Sequence, residues 1–154
     1  MYWTGYSHYT IKSTIMKANL DGTNPRRIAA AGDSGGIVID YSSSRLIWAN
    51  YSTLKSSDLD GGDIRTIVGL PSGTRPWGVA VHNGKLFWSD RVANTVQSSE
   101  TGGRNIKTVY TGVTNIRHLA SMEVNVSGSR RNECAGNQCE TVCVLSPTGF
   151  RCLF

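Results

Sequence analysis

Along this chain, short runs of apolar residues alternate with polar turns, and the apolar positions do not recur every three or four residues as a helix would require. Lys85-Leu86-Phe87-Trp88-Ser89 alternates so that one face is apolar and the other mixed. Gly78-Val79-Ala80-Val81 leads into it through His82-Asn83-Gly84-Lys85. Asn-Gly between two apolar runs predicts a hairpin, because both residues tolerate positive φ. The third stretch of this kind reads as four strands, at about 77–82, 85–90, 94–99 and 105–110.

Self-comparison shows that the pattern repeats. A short aromatic strand occurs as Tyr2-Trp3-Thr4-Gly5, Ile47-Trp48-Ala49-Asn50 and Phe87-Trp88-Ser89-Asp90, with tryptophans 45 and 40 positions apart. Each copy is followed by a turn and a basic, apolar strand: Leu20-Asp21-Gly22 to Ile28, Leu59-Asp60-Gly61 to Ile67, and Thr101-Gly102-Gly103 to Val109. From the anchoring glycine to the closing Ile or Val is six residues every time. A period of about 40 residues with several short strands per unit predicts propeller blades. The common register of Trp3, Trp48 and Trp88 places them in the blade core, since aromatic burial is how small sheets pack.

The aromatic-Trp-Thr/Ser/Ala-Asp/Asn element together with Leu-Asp-Gly resembles the YWTD (class B) repeat of the low-density-lipoprotein-receptor family, over residues 1 to about 126. The tail resembles the EGF-like module that follows such propellers. The resemblance implies an all-β fold: a partial YWTD β-propeller of about three four-stranded antiparallel blades, with one further strand near Leu119–Val126. The family's ring has six blades, so this is about half. The expected domains are the propeller at 1–126, a linker at 127–131 and a truncated EGF-like module at 132–154. In the family the motif's acidic residue ties neighbouring blades by hydrogen bonds. Here that residue survives only at Asp90, with Asn50 able to keep part of the role and Gly5 unable to.

All four cysteines, Cys134, Cys139, Cys143 and Cys152, lie in the last 21 residues. Their number and clustering point to disulfides and an oxidising compartment, and their spacing lacks the paired knuckles of common zinc modules. Four cysteines allow three pairings; the EGF resemblance implies Cys134–Cys143 and Cys139–Cys152. Sequons at Asn50-Tyr51-Ser52 and Asn125-Val126-Ser127 fit a secretory route.

Composition supports a folded all-β chain: 39% hydrophobic, 18% charged, with 17 glycines to make turns. The net charge of +5 is spread along the chain without a basic run, which argues against nucleic acid. Arg26, Arg65 and Lys107 recur four residues after the anchoring glycine, a band suited to acidic glycans or, more simply, to a solvated outer strand that resists edge pairing. No apolar stretch approaches the roughly 20 residues of a membrane span, and Met1 is followed at once by a strand rather than a signal peptide. The expectation is a segment of a longer extracellular protein, membrane-attached only through a span outside this sequence.

Asp33-Ser34-Gly35-Gly36 resembles a nucleophile loop but reads as a turn between blades, and with no metal-binding His pair or phosphate loop the expected work is binding, without enzyme activity, cofactor or metal. Loops entering the innermost strands surround the mouth of a propeller's channel. They carry Arg75 and Trp77 before one strand and Arg117 and His118 before the next, residue types that dominate interfaces. These four are the candidate ligand-binding residues, and secreted proteins the expected ligands. The family resemblance implies a receptor of the endocytic or Wnt co-receptor type. A nidogen-type matrix protein is the alternative within binding, and a calcium-dependent propeller hydrolase the enzyme-class alternative by fold analogy.

Overall fold

The computed structural model describes residues 1–7, 12–33, 35–112, 114, 116, 118–121, 142–146 and 149–153. Every regular element among them is a strand. The chain forms two compact units, Met1–Met122 and Glu123–Phe154. In the second unit β12 (Val142–Ser146) and β13 (Gly149–Leu153) form an antiparallel hairpin in which Cys143 stands opposite Cys152 along the backbone. The implied pairing with Cys134 and Cys139, and the sequon at Asn125, lie outside the described residues.

The first unit is three antiparallel sheets in chain order. The first holds β1 (Tyr2–Ser7), β2 (Lys12–Lys17) and β3 (Arg26–Gly32). The second holds β4 (Ile37–Asp40), β5 (Arg45–Asn50), β6 (Thr53–Asp58) and β7 (Arg65–Gly69). The third holds β8 (Pro76–His82), β9 (Lys85–Asp90), β10 (Thr95–Glu100) and β11 (Lys107–Thr111). Each sheet is a simple meander, as in a propeller blade. The tryptophan motif lies on the first strand of blade 1 and on the second strand of blades 2 and 3. Among the described residues blade 1 therefore has no counterpart of the innermost strand that β4 and β8 supply to the others. Asn83 and Gly84, with φ of 46° and 71°, make the tight turn that their dipeptide predicts.

The blades are held by a contact that the repeat encodes. Trp48 packs with Ile15, Ala29 and Ala31 of blade 1, and Trp88 with Ile47, Leu54 and Val68 of blade 2. Each motif tryptophan thus lies on the blade before it, and both are fully buried. Trp3 differs from the sequence expectation in being only half-buried, because no described residue precedes blade 1 to cover it. Trp88 Nε1 donates to Gln97 Oε1 at 3.0 Å. Lys55 stands at the equivalent place opposite Trp48, offers no acceptor, and leaves that indole nitrogen without a partner among the described residues.

A second contact explains the invariant six-residue spacing. In every blade the outer ladder slips at an equivalent place, between Ile15 and Met16, between Leu54 and Lys55, and between Val96 and Gln97, with a second slip at Ser13–Thr14 in blade 1. The extra residues opposite the three equivalent slips are Ile28, Ile67 and Val109. A β-bulge bends its strand and tips one peptide out of the ladder. The Ile28 carbonyl meets Gly61 of the next blade, and the Ile67 carbonyl meets Gly103, where a Cβ would overlap the oxygen in both cases. These glycines also sit at φ of 86° and 82°, which only glycine adopts freely.

Ion pairs finish the first seam. Asp60 accepts from Lys17 at 2.7 Å and from Arg26 at 2.6 Å, and Tyr2 Oη donates to the Leu59 carbonyl at 3.0 Å. Arg26, first of the periodic basic residues, is thus an inter-blade partner. Blade 3 carries Gly102 at the Asp60 position, and Arg65 turns instead to Asp63 of its own blade at 2.8 Å.

Gly22 and Gly61 share nearly the same φ, 84° and 86°, but nothing lies within 4 Å of a Cβ on Gly22. Gly22→Ala is expected to cost about 1–2 kcal/mol for backbone strain alone. Gly61→Ala should cost a further ~1–3 kcal/mol for the overlap with Ile28. Urea unfolding midpoints of the two variants measure the difference, and equal midpoints would show that the seam tolerates a Cβ. The Lys17 hydrogen bond and charge, then Arg26, hold the Asp60 carboxyl below its ordinary pKa. A depressed folded pKa stabilises above the ordinary carboxylate range, and the contribution is lost as pH falls through the folded value. Asp60→Asn should therefore lower the midpoint slightly at neutral pH and converge with the parent chain in acid.

Candidate functional site

The loops that enter the innermost strands come together at one end of the first unit, as the meander requires. Three successive entries are in register. A Cβ on Gly36 would meet the backbone of Trp77, Gly78 and Val79, and a Cβ on Gly78 would meet the backbone of His118 and Leu119. His118-Leu119 therefore stands to blade 3 as Trp77-Gly78 stands to blade 2. Glycine at 36 and 78 lets the neighbouring inner strands approach this closely around the channel.

Trp77 is braced by two neighbours. Its ring lies over Gly35, where a Cβ would collide with the indole, and the Arg91 guanidinium stacks on it at 4.4 Å from the ring centroid. Such a stack is worth about 0.5–1 kcal/mol at an exposed position. The residue that arranges it is Asp90. Its carboxylate is almost fully buried. Oδ1 accepts from the amides of Arg75 at 3.3 Å, Val92 at 2.9 Å and Ala93 at 3.1 Å. The Arg91 amide in turn donates to the Arg75 carbonyl at 3.1 Å. Asp90 thus fixes the linker leaving blade 2 to the turn that carries Arg91. Its Oδ2 is buried without a partner among the described residues.

Asn50 uses the same position differently. With its amide turned to satisfy both neighbours, its nitrogen donates to the Ala31 carbonyl and its oxygen accepts from Lys55 Nζ, each at 3.2 Å. The first bond crosses to blade 1, which a carboxylate could not do, since both it and the carbonyl are acceptors. The amide lies hard against Gly32.

The structure brings only part of the predicted binding set together. Arg75 and Trp77 line a pocket of 160 Å³ with Asp33, Tyr51 and Thr74. Arg75 Nη1 reaches Asp33 Oδ2 at 3.3 Å, an exposed and therefore weak pair. His118 is exposed and borders a separate groove of 320 Å³, shared with Trp3, Ile37 and Val79 on the channel side. Arg117 lies outside the described residues. Sequence reasoning missed Asp33, Tyr51 and Arg91. The signal for Arg91 was its place directly after the motif's Asp90; Tyr51 likewise follows Asn50.

No protein-family model matches the chain. It is 30% identical over 154 residues to low-density lipoprotein receptor-related protein 5 of Homo sapiens, covering 92% of this chain and 9% of that protein. It is 35% identical over 105 residues to Protein cueball of Drosophila erecta, covering 64% and 16%. It is 29% identical over 161 residues to the vitellogenin receptor of Solenopsis invicta, covering 99% and 9%. The chain thus spans a small part of each relative. In fold it resembles a chain in the crystal structure of a nidogen/laminin complex, with a TM-score of 0.62, 22% identity, and coverage of 77% of this chain and 46% of that one.

The Asn50 nitrogen is the atom a glycan would occupy, and it is engaged with Ala31 against Gly32. The folded, secreted chain is expected to leave the Asn50 sequon empty. Enzymatic deglycosylation in heavy-oxygen water, read by mass spectrometry, checks this: a labelled Asp at position 50 would mean that the seam opens to take a sugar.

Trp-bearing blades that repeat every 40-odd residues, stacked by Gly-and-bulge seams, agree with sequence likeness across nearly the whole chain: it belongs to the YWTD-repeat proteins of the low-density-lipoprotein-receptor family.

Proposed function

We propose that this chain is an extracellular, non-catalytic ligand-binding segment of a receptor related to the low-density-lipoprotein receptor. One observation carries the reading. Trp77 is presented at the channel mouth on a rigid mount, with Gly35 behind it and Arg91 across its face. A pre-positioned aromatic beside arginines loses little side-chain entropy on binding, which is how interface anchors gain affinity. The pocket beside it holds both signs of charge, Asp33 and Arg75, and so favours a polypeptide loop with polar groups over a lipid or a uniform polyanion. The relatives named as receptors support placement at the cell surface and secreted proteins as ligands. Acidic glycans are a subsidiary class, using the scattered basic surface. Endocytic uptake and Wnt co-reception are the two receptor roles open to such a segment.

A matrix protein of nidogen type is the second reading, favoured by the fold likeness to the nidogen/laminin chain. The same surface serves either, because a propeller mouth binds by shape and anchors whatever the protein's attachment.

Probing an array of secreted proteins and matrix components with the intact chain tests the proposal. Trp77→Ala and Arg75→Ala should weaken the leading interaction at least about tenfold, the loss typical of a binding anchor, with the fold retained and only a small drop in the unfolding midpoint for Trp77→Ala. Arg117→Ala and His118→Ala report on the adjoining loop. Binding untouched by all four would reject this surface. Calcium-dependent turnover of esters or lactones would reject the non-catalytic reading.

A further inference from the structure

One residue at the channel mouth is held in a backbone conformation that its side chain disfavours. Seven described residues other than glycine have positive φ; six are asparagine, aspartate or serine, and the seventh is Tyr51, at 50°. Asparagine and aspartate adopt this region with some ease, whereas a bulky side chain there is strained. The strain returns little to the fold. Tyr51 is 58% exposed, and its hydroxyl makes no hydrogen bond among the described residues. Strained positions of this kind cluster where a protein binds or switches.

The segment joining blades 1 and 2 makes room for this ring. A Cβ on Gly32 would come within 2.9 Å of the Tyr51 ring, and a Cβ on Gly35 would collide with the Trp77 indole. Asp33 lies between these glycines in sequence, and it lines the 160 Å³ pocket together with Tyr51 and Trp77. That volume equals about five waters of the liquid, room for one side chain of a partner. Two arginines adjoin the same indole. Arg75 lines the pocket, and Arg91 stacks on Trp77. Arg75 uses one donor on Asp33, at 3.3 Å, and the Arg91 guanidinium makes no hydrogen bond among the described residues. The other carboxylate nearby, Asp90, is buried and turned to backbone amides. At the exposed surface, two guanidinium groups therefore face one carboxylate.

We propose that the mouth takes an acidic peptide loop. The loop's carboxylate is received by donors of Arg75 and Arg91, and a side chain beside it lies between Tyr51 and Trp77. Stacking on Trp77 holds the Arg91 guanidinium and leaves its in-plane donors available, the arrangement in which arginine grips a carboxylate through two bonds. Asp33 is the internal competitor: it pairs with Arg75 in the unliganded chain and yields to the incoming carboxylate. Its single long bond between exposed groups is weak enough to exchange. This inference rests on the proposed binding role of the mouth and names the chemistry of its ligand.

Panning a phage library of disulfide-closed random loops against the intact chain is the test, with the Trp77→Ala chain identifying the loops that bind the mouth. Those loops should be enriched in Asp and Glu. The leading loop is then made as a synthetic peptide and titrated by calorimetry. Arg91→Gln and Arg91→Lys should each weaken it at least about tenfold, since lysine keeps the charge but loses the planar fork. Asp33→Asn should tighten it about two- to fivefold, the worth of an exposed ion pair. Tyr51→Gly separates binding from folding: it should raise the unfolding midpoint, because glycine adopts the left-handed turn freely, and still weaken the peptide. Tyr41→Ala, on the turn after β4 at the other end of the blade, should change nothing. Mouth-dependent loops without acidic residues overturn this proposal and leave the binding role standing. So do acidic loops indifferent to Arg91 or weakened by Asp33→Asn, and a heparin fragment that binds these residues where acidic loops do not. Recovery of no loop that depends on Trp77 overturns both readings.

Discussion

The architecture depends on a carbonyl oxygen meeting a glycine. Where the ladder of each outer strand slips by one residue, the bulged Ile28 or Ile67 turns its carbonyl toward the next blade, and Gly61 or Gly103 lets it approach to backbone contact. With the backbones this close, Trp48 and Trp88 can lie flat on the preceding sheet and lose all exposure. Either partner alone would fail. A bulge facing a side chain would hold the sheets apart, and a glycine facing a straight strand would leave a gap that the tryptophan could not fill. The seam is therefore a paired device, and the fixed spacing between glycine and bulge is its imprint in the sequence.

That imprint explains what could be read from the residues alone. Strands and blade order were legible because the pattern repeats; the strands expected at 77–82, 85–90, 94–99 and 105–110 appear at Pro76–His82, Lys85–Asp90, Thr95–Glu100 and Lys107–Thr111. The constancy of the six-residue step was visible, but its meaning was not, since a bulge is a relation between two strands and carries no residue signature of its own. Trp3 shows the complementary limit. It shares the register of Trp48 and Trp88, yet burial belongs to the neighbour rather than to the residue, and no described residue covers that side of blade 1.

The site was legible in its anchors and not in its mounting. Arg75 and Trp77 stood out as interface-type residues in a loop before an apolar strand. Arg91 and Gly35, which clamp Trp77, come from positions 14 residues beyond it and 42 before it. The motif's acidic residue joins the two levels. By resemblance Asp90 was an inter-blade tie; in the structure it caps its own turn and holds the incoming linker, so that a fold-defining residue also sets the Arg75–Arg91–Trp77 geometry. Asn50 takes over the reach across the seam, because an amide can donate to the Ala31 carbonyl where a carboxylate cannot.

Under the proposed reading, these differences among blades matter more for binding than the features they share. Identical blades would present identical loops, and a ring of them would have no preferred side for a ligand. At the three inner-strand entries the chain places Gly35, Trp77 and His118 at equivalent positions. The smallest residue sits beside the largest, so the indole can lean into the space its neighbour vacates rather than stand in the channel. Gly35 thus shapes this region without any side chain of its own: it leaves room for the Trp77 indole, which lines the pocket that Asp33 and Arg75 share. Specificity at such a mouth arises from where the repeat is broken, while the seams that position it depend on where the repeat is kept.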